Sequence, residues 1–557
     1  MMYSSKQQIL QLLVLLKAHG VRQVVLSPGA RNAPVVQSLA GDPFFVCHSV
    51  VDERSAGFYA LGIAQYTGQT VAVCCTSGTA VLNYAPSLAE AFYQQLPLVY
   101  ITADRPPARI DQMEGQTLPQ PGIFGPLAKK SVQLPEITSD RDEWYCNRLL
   151  NEALLAATHP QGAPVHINLP LSEPLFEYTA NPLPPARTIH RHEPLWASFH
   201  PLGERFRRFR RPLLLVGQQT DATLLAPLDC LEQTHRCLIL AEHPANLPPR
   251  RFPGNFDALL RSLPEETLPL YAPDLVITLG GHLLSRHIRH FLRTHPPREH
   301  WHVSADGKIT DTYQCLTDTV VGKASHFAAY LAGQDPPGEC ADARREYLLR
   351  WQSASLGIPE PEAEYSDLAA CGALLRAMDD HACLQLSNSS SVRLAQLFRP
   401  AANHLRIHAN RGTSGIDGCL STAVGQACVN PGLTFLVIGD LAFFYDMNIL
   451  WNRRLPPRLR ILLNNNGGGG IFPTLPGFVP TPEARQHILV RHSQSARSWA
   501  ESQGLAYLGV SNQQELQDAI PPFVSPEGNQ PMLMEVFTSQ EKNTEVLLRY
   551  YASLRRG

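Results

Sequence analysis

The residues best suited to chemistry are Gly439-Asp440 and, 25 positions after the aspartate, Asn465 in the run Asn464-Asn465-Asn466-Gly467. Magnesium takes six oxygens in near-octahedral array, usually a few from protein and the rest from phosphate and water. Asp440, the Asn465 amide oxygen and the backbone carbonyl of Gly467 would supply three, leaving places for two diphosphate oxygens and a water. Mg2+ or Mn2+ suits such an oxygen set.

These residues need a scaffold that brings distant segments together. Asp440 ends the apolar run Phe435 to Ile438, and the asparagine run follows Leu459 to Leu463. If both runs are neighbouring parallel strands, both groups lie at their carboxyl ends, where α/β sheets bind ligands. Similar runs recur throughout: Gln23 to Leu26, Thr70 to Cys75, Leu98 to Thr102, Val165 to Leu169, Leu213 to Val216, Leu238 to Ala241, Leu275 to Leu279, Leu384 to Leu386 and Met532 to Val536. Helix-length spans separate them, which predicts an α/β fold of parallel sheets. Proline-rich stretches at Asn181 to Arg187 and Asp335 to Gly338 divide the runs into three sets. The expected domains are residues 1–180, 190–335 and 360–557. The middle one is Rossmann-like, but its first strand exits through Val216-Gly217-Gln218-Gln219 without a dinucleotide fingerprint.

A length of 557 residues suits about three domains, and 44% hydrophobic residues provide for a large core. A net charge of -2 offers no global attraction for nucleic acid or an anionic membrane. The run Ile9 to Leu16 is too short to span a bilayer and reads as a first helix ending near Gly20. Twelve cysteines without a C-x-x-C pair fit reduced thiols and a cytoplasmic location, with Cys74 and Cys75 in the core.

The Gly-Asp and Asn-Asn spacing resembles the diphosphate signature of thiamine-diphosphate-dependent enzymes. That resemblance implies a pyrimidine-binding domain, a Rossmann-like middle domain and a diphosphate-binding domain. It also implies that Glu53, in Asp52-Glu53-Arg54, assists the cofactor by hydrogen-bonding its pyrimidine ring. Val50, Val51, Phe58 and Leu61 offer Glu53 an apolar setting that makes it more basic. Ile416 resembles the aliphatic wedge beneath the two cofactor rings, and Ser389 and Gly439 complete the implied cofactor set.

Within that family the chain resembles the 2-succinyl-5-enolpyruvyl-6-hydroxy-3-cyclohexene-1-carboxylate synthases. The likeness is carried by Ser27-Pro28-Gly29-Ala30-Arg31, Thr76-Ser77-Gly78-Thr79-Ala80, Thr102-Ala103-Asp104-Arg105-Pro106-Pro107, Asn388-Ser389, Val392-Arg393, Asn410-Arg411-Gly412, Ser414-Gly415-Ile416-Asp417-Gly418 and Ile471-Phe472. It implies loss of carbon dioxide from 2-oxoglutarate and addition of the resulting enamine to isochorismate, in menaquinone biosynthesis. Both substrates are dianions, and planar arginine holds carboxylate in bidentate fashion. Arg393, Arg411 and Ser389 would hold the 2-oxoglutarate part, and Arg31, Arg105 and Gln116 would orient isochorismate. Arg286 would add a further cation, while Ile471, Phe472 and Leu475 would wall off water. At least a homodimer is implied, commonly a dimer of dimers (homotetramer).

The chain departs from the family pattern in several places. Leu441 replaces a usual glycine, Ala30 a usual serine, and Arg286-His287 a usual Lys-Arg pair, and the loop Gly467 to Gly470 is one residue longer. His282, His287, His290, His295, His300 and His302 crowd one region without carboxylate or cysteine partners, and are expected to be solvated. Two rivals stand beside this reading. One is another decarboxylase or carboligase of the same cofactor family, acetohydroxyacid-synthase-like or oxalyl-CoA-type. The other is a catalytically silent member of the fold.

Overall fold

The computed structural model describes residues 2–159, 161–189, 199–248, 251–252, 254–335, 338–402, 404–452, 455–475 and 477–555. Its strands form where short apolar runs can be buried on both faces. Every residue of Val71–Cys75, Leu98–Asp104 and Leu459–Asn465 is buried, the mark of parallel sheets covered by helices on either side.

Three parallel sheets result. The N-terminal sheet is ordered Val46–Ser49, Gln23–Leu26, Val71–Cys75, Leu98–Asp104, Val165–Pro170 and Lys130–Gln133. The middle sheet is ordered Leu238–Ala241, Pro212–Val216, Leu275–Leu279, Glu299–Ser304 and Leu316–Val321. The C-terminal sheet is ordered Arg406–Ala409, Cys383–Leu386, Thr434–Gly439, Leu459–Asn465, Met532–Phe537 and Ala506–Val510. With the strands of each sheet numbered by their order in sequence, both outer sheets run 2-1-3-4-6-5 and the middle one 2-1-3-4-5. Tyr3–Ser4 pairs antiparallel with Tyr178–Ala180 and ties the start of the chain to the end of its first unit.

Two helices join the outer units. Glu53–Thr67 starts where the Asp52 carboxylate accepts from the Arg54 and Ser55 N–H groups, and stops at Gly68, whose φ is 68°. It crosses Cys419–Val429 so closely that a Cβ on Gly62 would stand 2.1 Å from the Thr422 carbonyl oxygen. Reciprocally, a Cβ on Gly425 would stand 2.1 Å from the Tyr59 carbonyl oxygen. Apolar residues of both outer units then merge into one core, with Val25, Phe58 and Tyr100 in the same cluster as Leu436, Ile438 and Leu463.

In the middle unit, helix Gly338–Leu356 packs Tyr347, Leu348 and Trp351 against Leu213, Leu238 and Val276. Gln218, just past the first middle strand, donates to Gln94 Oε1 at 3.0 Å and to the Ala409 carbonyl at 2.8 Å, so all three units meet there. All twelve cysteines are free, with Cys74 and Cys75 fully buried. Among the described residues no helix is long and apolar enough to cross a membrane.

Candidate active site

Asp440 and Asn465 lie at the carboxyl ends of paired strands, Thr434–Gly439 and Leu459–Asn465. Asp440 is 2% exposed. Its Oδ1 accepts from the Leu441 N–H at 2.6 Å and its Oδ2 from the Gly468 N–H at 2.9 Å. His492 Nε2 stands 3.4 Å from Oδ2. Burial pushes this carboxyl above its ordinary range, against the pull of those N–H groups and of His492.

The Asn465 amide has one orientation open to it. Its Nδ2 donates to the Gln494 carbonyl at 2.8 Å and to Glu535 Oε1 at 2.7 Å, which turns Oδ1 towards the Gly467 N–H at 3.3 Å. Glu535 is fully buried and also accepts from Ser495, the Ala496 N–H and Tyr507. Gly467 and Gly468 turn at φ of 75° and 143°, and a Cβ on Gly468 would lie 2.4 Å from the Leu489 carbonyl. The Gly467 carbonyl accepts from the His492 N–H at 3.1 Å, leaving one lone pair for a cation. No group of three His, Cys, Asp or Glu side chains suited to a metal occurs among the described residues. One carboxylate, one amide oxygen and one carbonyl need no such group, because phosphate and water complete a magnesium shell.

Glu53 opens its helix, half-buried beside Asp52. Burial raises its carboxyl above the usual range, and the Asp52 charge adds to the rise. Val50, Phe58 and Leu61 are buried as expected, whereas Val51 is exposed and so does not contribute to an apolar setting within one chain. Arg54 donates to the Tyr445 carbonyl at 3.0 Å and Asp52 accepts from Asn448 at 3.1 Å. These contacts bring Glu53 near the far end of helix Asp440–Asp446, while Asp440 stands at its start. Glu53 and Asp440 have no direct contact in the structure.

Three N-terminal loops share the carboxyl edge of their sheet. Arg31 is nearly buried and donates to the Leu171 carbonyl at 2.9 Å. Burial lowers its pKa and the charge of Arg105 lowers it further, against the pull of Glu173 at 3.5 Å, with Arg109 adding a smaller effect. Glu114 stands 3.8 Å from Arg105 and 3.5 Å from Arg109. Arg105 donates to the Gly115 carbonyl at 3.2 Å. Gln116, exposed and at φ of 60°, has its backbone 3.4 Å from where a Cβ on Gly78 would sit. Gln120, which sequence reading does not single out, is fully buried and fastens these loops. It accepts from the Gly78 N–H at 3.0 Å and donates to the Ala103 carbonyl and to Asn168. Ala30 is exposed beside Arg31.

A second arginine group forms where the middle and C-terminal units meet. Burial lowers the pKa of Arg393 and of Arg411; the charges of Arg411 and Arg286 lower that of Arg393 further, while the carboxylates of Glu242 and Glu90 pull that of Arg411 back up. Arg393 donates to the carbonyl of Ser389, a residue held at φ of 69°. Arg411 donates to Asn388 Oδ1 at 2.9 Å, and Asn388 Nδ2 donates to the Asn410 and Gly415 carbonyls. This staple leaves Ile416 37% exposed, an aliphatic side chain held off the core. Ile471, Phe472 and Leu475 are half-buried, with Phe472 stacked on Phe478 at 6.4 Å between ring centres.

The expectation of solvated histidines holds for His282 and His290, which are exposed, and needs correction for His287, His300 and His302. His300 is buried and its pKa is pushed down to about 4 by burial, and Thr278 Oγ1 lies 3.1 Å from its Nε2 and 2.9 Å from His302 Nδ1. His287 pairs with Asp257 at 3.0 Å. His300 and His302 line a cavity of about 890 Å³ with Lys308, Arg289 and Arg411. Packing of strand Glu299–Ser304 against its neighbours overrides the polarity of these side chains.

Polar atoms at the two outer edges fit a polar guest. Among the described residues the buried hydroxyls of Thr76 and Ser77 and the amide oxygens of Asn464 and Asn466 have no hydrogen-bond partner. Residues 10–123 match the family "Thiamine pyrophosphate enzyme, N-terminal TPP binding domain". The 2-succinyl-5-enolpyruvyl-6-hydroxy-3-cyclohexene-1-carboxylate synthase of Bacteroides thetaiotaomicron is 48% identical over 100% of both chains. Proteins of that name from Phocaeicola vulgatus and Porphyromonas gingivalis are 47% and 36% identical, covering 100% and 99% of this chain and 99% and 97% of their own. On this likeness the chain belongs to the 2-succinyl-5-enolpyruvyl-6-hydroxy-3-cyclohexene-1-carboxylate synthase family of thiamine-pyrophosphate enzymes.

Proposed function

We propose that the chain removes carbon dioxide from 2-oxoglutarate and joins the remainder to isochorismate, using thiamine diphosphate anchored through Mg2+ or Mn2+. The product is 2-succinyl-5-enolpyruvyl-6-hydroxy-3-cyclohexene-1-carboxylate, an intermediate of menaquinone biosynthesis. The observation that carries this reading is the division of arginines into two groups. Arg31, Arg105 and Arg109 gather on the N-terminal unit, and Arg286, Arg393 and Arg411 at the other junction. Within the chain Glu173 pairs with Arg31, and Glu114 with Arg105 and Arg109; two separate groups of guanidinium donors would each suit one dianionic substrate in place of such partners.

When bound, thiamine diphosphate supplies an electron sink for decarboxylation of a 2-oxo acid and a carbon nucleophile for the new bond. The residues of this chain bind, orient and shield. Asp440, Asn465 and the Gly467 carbonyl would hold the metal, with Glu535 fixing the Asn465 amide. Glu53, made more basic by burial, would hold a proton against the pyrimidine ring. Gly439 and Ser389 would border the cofactor, and Ile416 would support its rings. Arg393 and Arg411 would grip the 2-oxo acid, and Arg31, Arg105 and Gln116 isochorismate. Ile471, Phe472 and Leu475 would keep water from the reacting carbon.

The proposal extends to assembly and place. Val51 and Tyr445 are exposed apolar side chains close to Glu53, the first in sequence and the second through Arg54, which supports a homodimer, or a dimer of dimers, covering that face. Free thiols throughout support a cytoplasmic location. The domains are proposed as 1–180, 190–335 and 360–557.

The test follows carbon dioxide release from 2-oxoglutarate together with isochorismate loss, in the presence of thiamine diphosphate and Mg2+, for the protein and for Glu53→Gln. Coupled consumption that the variant abolishes is the expected result. Decarboxylation of another 2-oxo acid without isochorismate use would keep the cofactor and sink the substrate pair. Cofactor binding without turnover would favour a silent member of the fold.

A further inference from the structure

Glu90 belongs to neither arginine group and to none of the motifs above, yet it is 1% exposed and fully engaged across the junction of the outer units. It lies on helix Ala85–Gln94 of the N-terminal unit. Its acceptors face the C-terminal loop that follows strand Arg406–Ala409. Oε1 accepts from the Gly412 N–H at 2.8 Å, and Oε2 accepts from the Thr413 N–H and hydroxyl, each at 2.6 Å. The loop lies hard against the helix, since a Cβ on Gly412 would be 2.7 Å from the Glu90 carbonyl oxygen and 3.0 Å from Tyr93 Cβ.

The other flank of the same loop is held through amides. Gln94 Nε2 donates to Glu90 Oε1 at 2.5 Å, Gln65 donates to Gln94 at 2.7 Å, and Gln426 donates to Gln65 and to Gln385 at 2.9 Å. Gln385 in turn donates to Asn410 Oδ1 at 3.0 Å. Arg411 therefore sits between Asn410, at the end of the amide chain, and Gly412, on the carboxylate itself. Its Nε is buried without a partner among the described residues, so its direction is set by the backbone and by Asn388.

We propose that Glu90 is a positioning residue for the 2-oxo acid half of the site: from the N-terminal unit it fixes the loop that aims Arg411 at the distal carboxylate of the substrate. The inference rests on the reading that Arg411 binds 2-oxoglutarate. The carboxylate is chemically required here. Both of its oxygens accept from backbone N–H groups, whereas a glutamine offers one oxygen and turns its NH2 against a second donor. Glu90→Gln is thus nearly isosteric, yet it makes one of the two backbone contacts repulsive.

Steady-state kinetics of the holoenzyme with both substrates decide the matter. Glu90→Gln is expected to raise KM for 2-oxoglutarate about tenfold, leave KM for isochorismate within about twofold, and lower kcat less than about fivefold. Thr413→Val, which removes one donor and folds more safely, is expected to raise KM for 2-oxoglutarate about threefold. A residue that only packs would lower the melting temperature and the active fraction while both KM values stayed at wild type, and that result overturns the proposal. If Glu90→Gln fails to fold, an unchanged KM for 2-oxoglutarate in Thr413→Val overturns it alone. Arg411→Lys separates the two levels. If it raises KM for 2-oxoglutarate and the other variants do not, the positioning role fails and the site reading stands. If it too leaves KM unchanged, the reading of Arg411 fails and the inference falls with it.

Discussion

The two outer sheets share one strand order, 2-1-3-4-6-5, and present opposite chemistry at their carboxyl edges. The N-terminal edge gathers Arg31, Arg105 and Arg109, side chains that carry only donors and pair there with Glu173 and Glu114. The C-terminal edge offers Asp440 and Asn465, oxygen acceptors suited to a hard cation. Identical topology thus fixes where a ligand can sit and leaves its nature to a few loop residues. The middle sheet, with a shorter version of the same order, shows the contrast further: the site is not written in strand order, because there the edge carries histidines held neutral by burial.

Breaking the C-terminal edge alone should have the largest effect. Asp440→Ala is expected to weaken Mg2+-dependent cofactor binding more than about 100-fold, and Glu535→Gln, acting through Asn465, about 10–100-fold. Calorimetric titration of thiamine diphosphate with and without Mg2+ measures both, and an equal loss in Arg31→Ala would erase the distinction between the edges. Next comes the split between arginine groups. Losing a charge-assisted bond costs about 1.5–3 kcal/mol, or roughly 10–100-fold. Arg31→Ala should spend that loss on KM for isochorismate, and Arg393→Ala on KM for 2-oxoglutarate.

Smaller effects test how the two edges are held together. Gly62→Ala sets a methyl against the Thr422 carbonyl and is expected to cost about 1–3 kcal/mol of stability by denaturant titration. Gly115→Ala, whose Cβ meets nothing within 4 Å, is the control and should cost far less. The smallest effect concerns pH. Burial raises the Asp446 carboxyl to about 7, while both its oxygens accept from Ser421. Its folded value lies above the unfolded one of about 4, so its contribution is full below that pH and is lost as pH rises through 7. Melting temperatures of Asp446→Asn should decline less steeply over that range, and Glu242, raised to about 7 in the same way, contributes to the slope that remains.

The interior strands and the Asp440 to Asn465 pair were legible because long apolar runs end abruptly in polar residues. Strands that sequence reading passed over lie mostly at sheet edges: Val46–Ser49, Lys130–Gln133, Leu316–Val321, Arg406–Ala409 and Ala506–Val510. An edge strand is wetted on one flank, as the exposed ends of Val46–Ser49 show, and carries no continuous apolar run. Glu535 left a signal that could have been read, a lone acid within the apolar strand Met532–Phe537. Glu90, Gln120 and Gln426 left none, because, apart from Gln94 beside Glu90, their side-chain partners lie 17 to 361 positions away in the chain. The site's cations were readable only through their motifs, since an arginine in isolation says nothing about whether it will be buried.

The crossing of Glu53–Thr67 with Cys419–Val429 has a mechanical consequence. Where Gly62 and Gly425 meet the opposite backbones there is no layer of side chains to shear or compress. The outer units of one chain therefore form a stiff frame, with Glu53 at one end of the first helix and Ile416 just ahead of the second. Any opening that admits substrates and releases product must come from the loops around that frame or from the middle unit, and labels placed across the helix crossing should keep a constant distance through turnover.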